Sequence, residues 1–210
     1  MTADLPVVEP PFDEGEGDAS VLGVVLAAGT SDRFGESNKL LAEWEGRPLV
    51  AHVAGTLSRS AVDAVVVVVG HEADRVRAAV EGPDVTVVDN PDYEAGQATS
   101  VRRGALAARD RGADAALFAL GDMPTVRPGT VDTLVSAFRA GAGSALAAAH
   151  EGTRGNPVLF GARHFDALAD LSGDVGGRGI LLGDDDAALV ETGDPGVLLD
   201  IDRPADLAEL

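Results

Sequence analysis

The run Ala64–Val69, AVVVVV, constrains the fold of this chain more than any other stretch. Its β-branched residues favour an extended backbone, and a strand that is apolar on both faces belongs inside a sheet covered on both sides. Other strand-length apolar runs alternate along the chain with segments of helical periodicity. The alternation predicts an α/β protein with a mostly parallel, Rossmann-like sheet between two layers of helices.

The predicted elements fill most of the sequence. The predicted strands are Val21–Leu26, Ala64–Val69, Val85–Val88, Ala115–Leu120, Ser144–Ala149, Pro157–Phe160, Ala188–Val190 and Val197–Ile201, with a short ribbon around Glu45-Gly46. The predicted helices are Pro48–Ser58, a helix from His71 through Val80, Ala98–Asp110, Gly129–Arg139, Arg163–Leu171, Gly176–Leu182 and Pro204–Leu210. In such sheets ligands bind at the carboxyl ends of the strands, so polar residues that follow strands are the candidates for a site.

The length of 210 residues allows one sizeable α/β domain. Residues 1–19 are rich in proline, glycine and acids, and this composition predicts a disordered acidic tail ahead of a single domain at 20–210. The tail lacks the basic start and apolar middle of a signal peptide. No apolar run is long enough to span a bilayer, so we expect a cytoplasmic protein.

The net charge of −19 and the pI near 4.3 argue against binding to nucleic acid or to an anionic membrane. Two explanations fit so acidic a chain: an acidic interaction region, or a halophilic surface. The acids are spread along the whole chain, and this distribution favours the second. The chain has no cysteine, which excludes disulfides, thiolate metal sites and cysteine nucleophiles.

The stretch Val21–Leu41, VLGVVLAAGTSDRFGESNKLL, has the pattern of a phosphate-binding loop. A buried strand leads into a small-residue turn at Gly29, and the cations Arg33 and Lys39 follow. The stretch matches neither the Walker A pattern nor GxGxxG, and an ordinary turn with two surface cations is the alternative. Lys39 is the only lysine beside 15 arginines, and its place next to this loop favours phosphate binding.

Three aspartates follow predicted strands. Asp122 lies in GDMP directly after a strand, where it could ligate Mg²⁺ or cap the next helix. Asp200 and Asp202 in DIDRPADL share a parity, so in a strand both would project from one face. The alternative is that Asp202 caps the helix at Pro204. We expect one of these two to bind metal with Asp122, and the spacing does not choose between them.

Other polar stretches carry weaker indications. GQATS, which ends at Ser100, could bind an anion or a base edge at a helix N-terminus, or simply cap that helix. The glycine-rich stretches at 152–160 and 173–179 could form substrate or lid loops. The four histidines show no ligand spacing and are interpreted as structural or surface residues.

These motifs together carry a family resemblance. LAAGTSDRFGESNKLL resembles the signature LAAGxSxRxGxxK of the MobA-like nucleotidyltransferases, and GQATSV, GDMP, RGNPVLF, GDVGGRGIL and DIDRPADL follow in that family's order. The likeness covers Val21–Leu210 and implies the fold of the nucleotide-diphospho-sugar transferases. It is nearest to the molybdenum cofactor cytidylyltransferases, because Ala28 stands where guanylyltransferases have glycine. Asn156 departs from that branch, which often has histidine there.

The resemblance implies roles for particular residues. Leu26, Ala27, Ala28 and Gly29 would contact the nucleotide, Arg33 and Lys39 would hold the triphosphate and act in catalysis, Ser100 would lie near the base, and Asp122 would bind nucleotide and Mg²⁺ with Asp200 or Asp202. Such chemistry needs no protein nucleophile, because positioning and cationic charge supply most phosphoryl-transfer catalysis.

The implied reaction is transfer of CMP from CTP to the terminal phosphate of molybdopterin, with release of pyrophosphate and delivery of the product to a molybdoenzyme. One alternative is the same chemistry with GTP or with another small phosphate acceptor. An alternative of a different class is a non-catalytic protein that binds and delivers a nucleotide or cofactor.

Overall fold

The computed structural model describes residues 5–12, 18–30, 34, 37–80, 82 and 85–209. The strands within these residues are β1 (Val7–Val8), β2 (Val21–Ala27), β3 (Glu43–Trp44), β4 (Arg47–Pro48), β5 (Ala64–Val69), β6 (Val85–Asp89), β7 (Ala115–Leu120), β8 (Ala145–His150), β9 (Thr153–Gly161) and β10 (Ala187–Glu191). The α-helices are α1 (Leu49–Ser58), α2 (Ala73–Ala79), α3 (Gln97–Asp110), α4 (Pro128–Arg139), α5 (Phe165–Ala169), α6 (Arg178–Gly183) and α7 (Pro204–Ala208). Short 3-10 helices lie at Lys39–Leu41, Tyr93–Ala95, Ala162–His164 and Pro195–Leu198.

Eight strands form one sheet in the order β1-β10-β8-β9-β7-β2-β5-β6, and β3 pairs with β4 in a separate ribbon. Every neighbouring pair of the large sheet is parallel except the two pairs that include β9. The valine-rich β5 lies between β2 and β6, and its last four residues are fully buried. The prediction of a mostly parallel sheet with this run in its interior is confirmed.

Helices cover both faces of the sheet, which confirms the predicted three-layer sandwich. On one face α1 and α4 bury Val53 and Leu134 against residues such as Val67 of β5. On the other face α3 and α6 bury Val101 and Leu181 in a separate apolar cluster. Each side-chain layer removes one face of the sheet from water, and this burial is the main stabilising term of the fold.

Most predicted elements begin and end within a few residues of their predicted bounds, but the predicted strand Val197–Ile201 is wrong. The chain instead forms the 3-10 helix Pro195–Leu198 and then runs without regular structure to α7. Proline suits a first helical position, and the Asp194 carboxylate accepts a hydrogen bond from Gly196 N at 3.0 Å. These two local interactions start a helical turn where the apolar pattern alone indicates a strand.

The prediction of disorder for residues 1–19 is wrong for residues 5–12. Val7 and Val8 pair in parallel with Leu189 and Val190 at the edge of the sheet. The Leu189 backbone N–H also donates to the carbonyl of Pro6 at 2.8 Å. A two-residue apolar run is too short to indicate a strand from sequence, so only the tertiary pairing defines this element. Among the described residues, no helix is long and apolar enough to cross a membrane.

Asp194 fixes the segment that leads from β10 to the C-terminal aspartates. Its side chain is buried and accepts hydrogen bonds from Arg127 N at 3.0 Å and from the Thr130 hydroxyl at 2.6 Å, besides the bond from Gly196 N. One carboxylate therefore caps the 3-10 helix and ties it to the first turn of α4.

We expect Asp194→Ala to lower the free energy of unfolding by about 2–4 kcal/mol, because it leaves three donors without their acceptor. Urea unfolding measures the change. Asp194→Asn retains one carbonyl oxygen and should cost less, while Asp185→Ala at an exposed position is the matched control with an effect below about 0.5 kcal/mol. Equal midpoints for Asp194→Ala and Asp185→Ala would contradict the role given to Asp194.

Candidate functional site

A pocket of about 650 Å³ opens at the carboxyl ends of β2 and β7. Its lining comes from the end of β2 and the loop after it, the 3-10 helix at Lys39–Leu41, the turn before α3, the end of β7 and two later loops. The lining residues are Leu26, Ala28, Gly29, Thr30, Lys39, Leu40, Tyr93, Glu94, Ala95, Gly96, Gln97, Ser100, Leu120, Asp122, Asp174 and Asp202. The pocket therefore lies at the edge of the sheet where ligands of such folds bind.

Lys39 lies between two carboxylates in this pocket. Its Nζ is 2.6 Å from Asp122 Oδ2 and 3.1 Å from Asp202 Oδ1. Asn38 accepts a hydrogen bond from Leu40 N at the start of the short helix, and the Leu40 side chain is buried. Burial alone would lower the pKa of Lys39, but the charges and hydrogen bonds of Asp122 and Asp202 outweigh it and raise the pKa. Lys39 therefore stays protonated throughout the neutral range.

Asp122 is the buried carboxylate of the site, with a side chain that is 13% exposed. Burial raises its pKa, and the nearby Asp200 acts in the same direction, while Lys39 opposes the shift. The second oxygen, Oδ1, is buried and has no hydrogen-bond partner among the described residues. A buried carboxylate oxygen without a partner is costly, so it is a place where a ligand or a cation would be stabilised.

The backbone that carries Asp200 and Asp202 to the pocket has a different conformation from the predicted one. No strand runs through residues 197–201, but Ile201 N donates to the carbonyl of Asp122 at 3.0 Å and the Ile201 side chain is buried. Asp200 and Asp202 therefore flank a buried residue beside Asp122. Asp206, rather than Asp202, accepts from Arg203 N at the start of α7, which leaves the Asp202 carboxylate to pair with Lys39.

The carboxylates do not form a complete metal-binding cage. Among the described residues, no group of three or more histidine, cysteine, aspartate or glutamate side chains is arranged to hold a metal ion. Asp122 and Asp202 line the pocket, while Asp200 is exposed and acts on Asp122 through its charge. Mg²⁺ is commonly held by one or two carboxylates with the remaining ligands from water and substrate phosphates, so this donor set fits such an ion.

Some residues of the predicted nucleotide loop, at the end of β2 and after it, line the pocket. Leu26, Ala28 and Gly29 line it, and a Cβ placed on Gly29 would meet no atom within 4 Å, so the space beside that residue is open. Ala27 is instead buried in the core beneath the pocket. Arg33 lies outside the described residues, and its predicted role stays a prediction.

The start of α3 forms the opposite wall of the pocket. Gly96 has a positive φ of 104°, and a Cβ at this position would lie 2.6 Å from the carbonyl of Gly173, so only glycine fits. The Gly173 carbonyl accepts from Ala98 N at 3.2 Å, and the Asp174 carboxylate accepts from Gln97 N at 3.4 Å. The glycine-rich loop at residue 173 therefore accepts hydrogen bonds from backbone amides of the first turn of α3, which have no acceptor within the helix.

The sequence motifs do not identify some of the residues that line the pocket. Tyr93 and Glu94 lie in a short helix that no periodic pattern indicates. Tyr93 packs tightly on Gly70, where an added Cβ would lie 2.6 Å from the Tyr93 Cβ. Asp174 belongs to a glycine-rich stretch whose composition suggests a substrate loop without identifying the residue that enters the pocket.

Comparison with known families agrees with the fold and identifies the family. The model of the MobA-like NTP transferase domain matches residues 23–188, so the chain belongs to this nucleotidyltransferase family. The chain is 34% identical over 164 residues to the nicotine blue oxidoreductase of Paenarthrobacter nicotinovorans, covering 75% of this chain and 79% of that protein. It is 40% identical over 119 residues to the bifunctional protein GlmU of Burkholderia multivorans, of which it spans about a quarter (26%).

Solved structures with the same fold cover nearly the whole chain. Rv0371c from Mycobacterium tuberculosis H37Rv is 28% identical with a TM-score of 0.79, covering 92% of this chain and 98% of that one. A nucleotidyl transferase from Methanothermobacter (Mth528) is also 28% identical, with a TM-score of 0.77 and coverage of 92% and 96%. Rv0371c has in addition been solved in complex with manganese.

Proposed function

We propose that this chain transfers CMP from CTP to the terminal phosphate of a molybdopterin-type acceptor and releases pyrophosphate. The observation that carries the proposal is the protonated Lys39, held by Asp122 and Asp202 in the lining of a pocket large enough for a nucleotide. Membership of the MobA-like NTP transferase family supports the reaction class. The preference for CTP and the molybdopterin acceptor rest on the sequence resemblance, in which Ala28 stands where guanylyltransferases have glycine.

In the proposed reaction an oxygen of the acceptor phosphate attacks the α-phosphorus of CTP. A new P–O bond forms on that phosphorus as the bond to the pyrophosphate oxygen breaks, so pyrophosphate carries away the electron pair. Lys39 would neutralise the charge that develops on the transferred phosphate, and the open space beside Gly29 would let the triphosphate approach the backbone. No side chain needs to become a covalent nucleophile.

The residues fit a bound Mg²⁺, because Asp122 Oδ1 is a buried oxygen without a partner among the described residues and Asp202 lies nearby on the same lysine. Asp122 would hold the ion, together with Asp200 or Asp202. When bound, the ion supplies a Lewis acid that neutralises phosphate charge. Asp122 would be the carboxylate that fixes the position of the nucleotide, and Lys39 would remain available to the phosphates.

The proposal predicts magnesium-dependent pyrophosphate release from CTP and a molybdopterin acceptor. We expect kcat/KM for GTP to be lower than for CTP by a factor of roughly ten or more. This is the scale of discrimination expected when the polar groups of a site do not match the base. Coupled pyrophosphate detection with each nucleoside triphosphate measures both values. Equal or better turnover with GTP would contradict the cytidylyl assignment. Tight nucleotide binding with no turnover would support a delivery protein instead.

The similarity to a nicotine blue oxidoreductase favours a second candidate, a redox enzyme on the same fold. The same pocket would then accept the phosphates of a dinucleotide cofactor. Oxidation of NADH or NADPH by an added quinone-like dye, with no pyrophosphate release from any nucleoside triphosphate, would support this candidate over nucleotidyl transfer.

A further inference from the structure

Asn90 lies behind the pocket wall, and the proposed reaction gives no role to its contacts. It follows β6 and is 1% exposed, with its backbone N–H donating to the carbonyl of Val69 at 2.7 Å. Its side-chain nitrogen Nδ2 is 2.9 Å from Thr99 Oγ1 and 3.0 Å from Ser100 Oγ. A single buried amide therefore contacts two adjacent hydroxyls in the first turn of α3.

The orientation of this amide is fixed by its other end. The backbone N–H of Asp92 donates to Asn90 Oδ1 at 3.2 Å, and a backbone N–H can only meet an acceptor. The oxygen must therefore face Asp92, and both hydrogens of Nδ2 must face the two hydroxyls. Consequently, Asn90 is a donor to Thr99 and to Ser100.

The Thr99 and Ser100 hydroxyls differ in whether their own hydrogen has an acceptor. Thr99 Oγ1 donates to the carbonyl of Gly96 at 2.8 Å, so its hydrogen is used within the helix turn. Ser100 Oγ accepts from Asn90 and has no further hydrogen-bond partner in the described parts of the chain, although it lines the pocket. With its acceptor side engaged, the Ser100 hydroxyl has its hydrogen available to the pocket.

We infer that Asn90 is a positioning residue that makes Ser100 a hydrogen-bond donor to the base of the bound nucleotide. The complementary ligand is a base with an acceptor at its edge, such as the O2 or N3 atom of cytosine. The inference rests on the proposed function in taking this pocket as a nucleotide site with the base beside Ser100. Recognition of the base would depend on a chain of hydrogen bonds, called the relay here, that runs from the Asp92 backbone N–H through the Asn90 side chain to the Ser100 hydroxyl.

Asn90→Asp tests the relay because it replaces the donor to the Ser100 hydroxyl with an acceptor. An aspartate at this position can still accept from Asp92 N, but its second oxygen would accept the Ser100 hydrogen and withdraw it from the pocket. The added negative charge should weaken the binding of both phosphate-bearing ligands, but only CTP has a base, so we expect the Kd for CTP to rise roughly tenfold more than the Kd for inorganic tripolyphosphate. Isothermal titration calorimetry on the full chain measures both ligands.

Three further variants separate positioning from folding. Ser100→Ala should lower the preference for CTP over tripolyphosphate by a similar factor, and adding Asn90→Asp to it should lower that preference no further. Thr99→Val removes the other acceptor of Asn90 and should leave the preference for CTP over tripolyphosphate unchanged. If Asn90→Asp fails to fold, Asn90→Ala replaces it, with an expected loss of a few fold that vanishes in the Ser100→Ala background.

Equal weakening of CTP and tripolyphosphate, or unchanged CTP binding in Ser100→Ala, would overturn the inference. Either result leaves pyrophosphate release by the parent protein intact, so the proposed function survives it. Conversely, a protein that shows the expected binding pattern but releases no pyrophosphate would refute the transfer reaction and keep the relay. If the parent protein binds another nucleoside triphosphate more tightly, that nucleotide takes the place of CTP in each titration.

Discussion

Replacing Lys39 by methionine should lower the rate of pyrophosphate release by roughly a hundredfold or more, the cost of removing one preorganised charge-stabilising contact. Methionine has nearly the length of lysine without its charge, so the packing of the short helix at Lys39–Leu41 is retained. Lys39→Arg keeps the charge and is the matched control. A rate in Lys39→Met within a few fold of the parent would remove this residue from the mechanism.

The same substitution should also affect stability, because Lys39 compensates the buried charge of Asp122. Breaking a buried ion pair by removing one partner leaves an uncompensated charge, and we expect a loss of about 2 kcal/mol at this partly exposed site. Adding Asp122→Asn should recover most of that loss and none of the rate. Urea unfolding and pyrophosphate release of the parent, Lys39→Met, Asp122→Asn and the double variant separate the two effects.

The composition of the chain allows a chemical rescue of the lysine variant. The natural sequence has one lysine and no cysteine, so Lys39→Cys creates a unique thiol. Aminoethylation of that thiol rebuilds an amine at nearly the original position. We expect activity to return with the modification in Lys39→Cys and not in Lys39→Met treated in the same way.

The sequence predicts that certain residues after β2 and β7 lie close together, because the sheet topology brings them to one edge. Gly29 and Lys39 after β2 and Asp122 after β7 meet because β2 and β7 are parallel neighbours. The prediction required only that the apolar runs at Val21–Leu26 and Ala115–Leu120 be recognised as buried strands. Local pattern is sufficient for that step.

The sequence fails where tertiary contacts decide the backbone or the hydrogen bonds. Among the described strands of the large sheet only β9 runs antiparallel to its neighbours, and the local pattern of Pro157–Phe160 does not indicate this direction. The relation between Asn90 and Ser100 depends on how β6 packs against α3. Asn90-Pro91-Asp92 indicates a turn, but nothing in the pattern indicates which atoms the buried amide contacts.

The charges of the described lining predict that nucleotide binding depends on a cation. The described lining contains Glu94, Asp122, Asp174 and Asp202 against the single Lys39, so four negative charges face one positive charge. A triphosphate entering this lining meets repulsion that one ammonium group does not offset. A divalent ion reduces the repulsion on both sides, because it neutralises carboxylate and phosphate together.

Asp122→Asn should therefore change metal-free binding and metal-dependent turnover in opposite directions. In EDTA we expect tighter CTP binding, because one negative charge is removed and Lys39 is released from its 2.6 Å ion pair. With saturating Mg²⁺ we expect the rate of pyrophosphate release to fall roughly a thousandfold, since metal polarisation supplies several kcal/mol to such reactions. Calorimetry in EDTA and a magnesium titration of the rate measure the two effects.

Glu94→Gln is the matched control for charge. It removes a carboxylate from the same lining and should tighten metal-free CTP binding, but turnover with Mg²⁺ should stay within a few fold of the parent. Asp200→Asn and Asp202→Asn, each made alone, identify the second carboxylate, because only the true partner of Asp122 should shift the magnesium concentration at half-maximal rate. An unchanged magnesium response in Asp122→Asn would show that this carboxylate acts on the nucleotide only through Lys39.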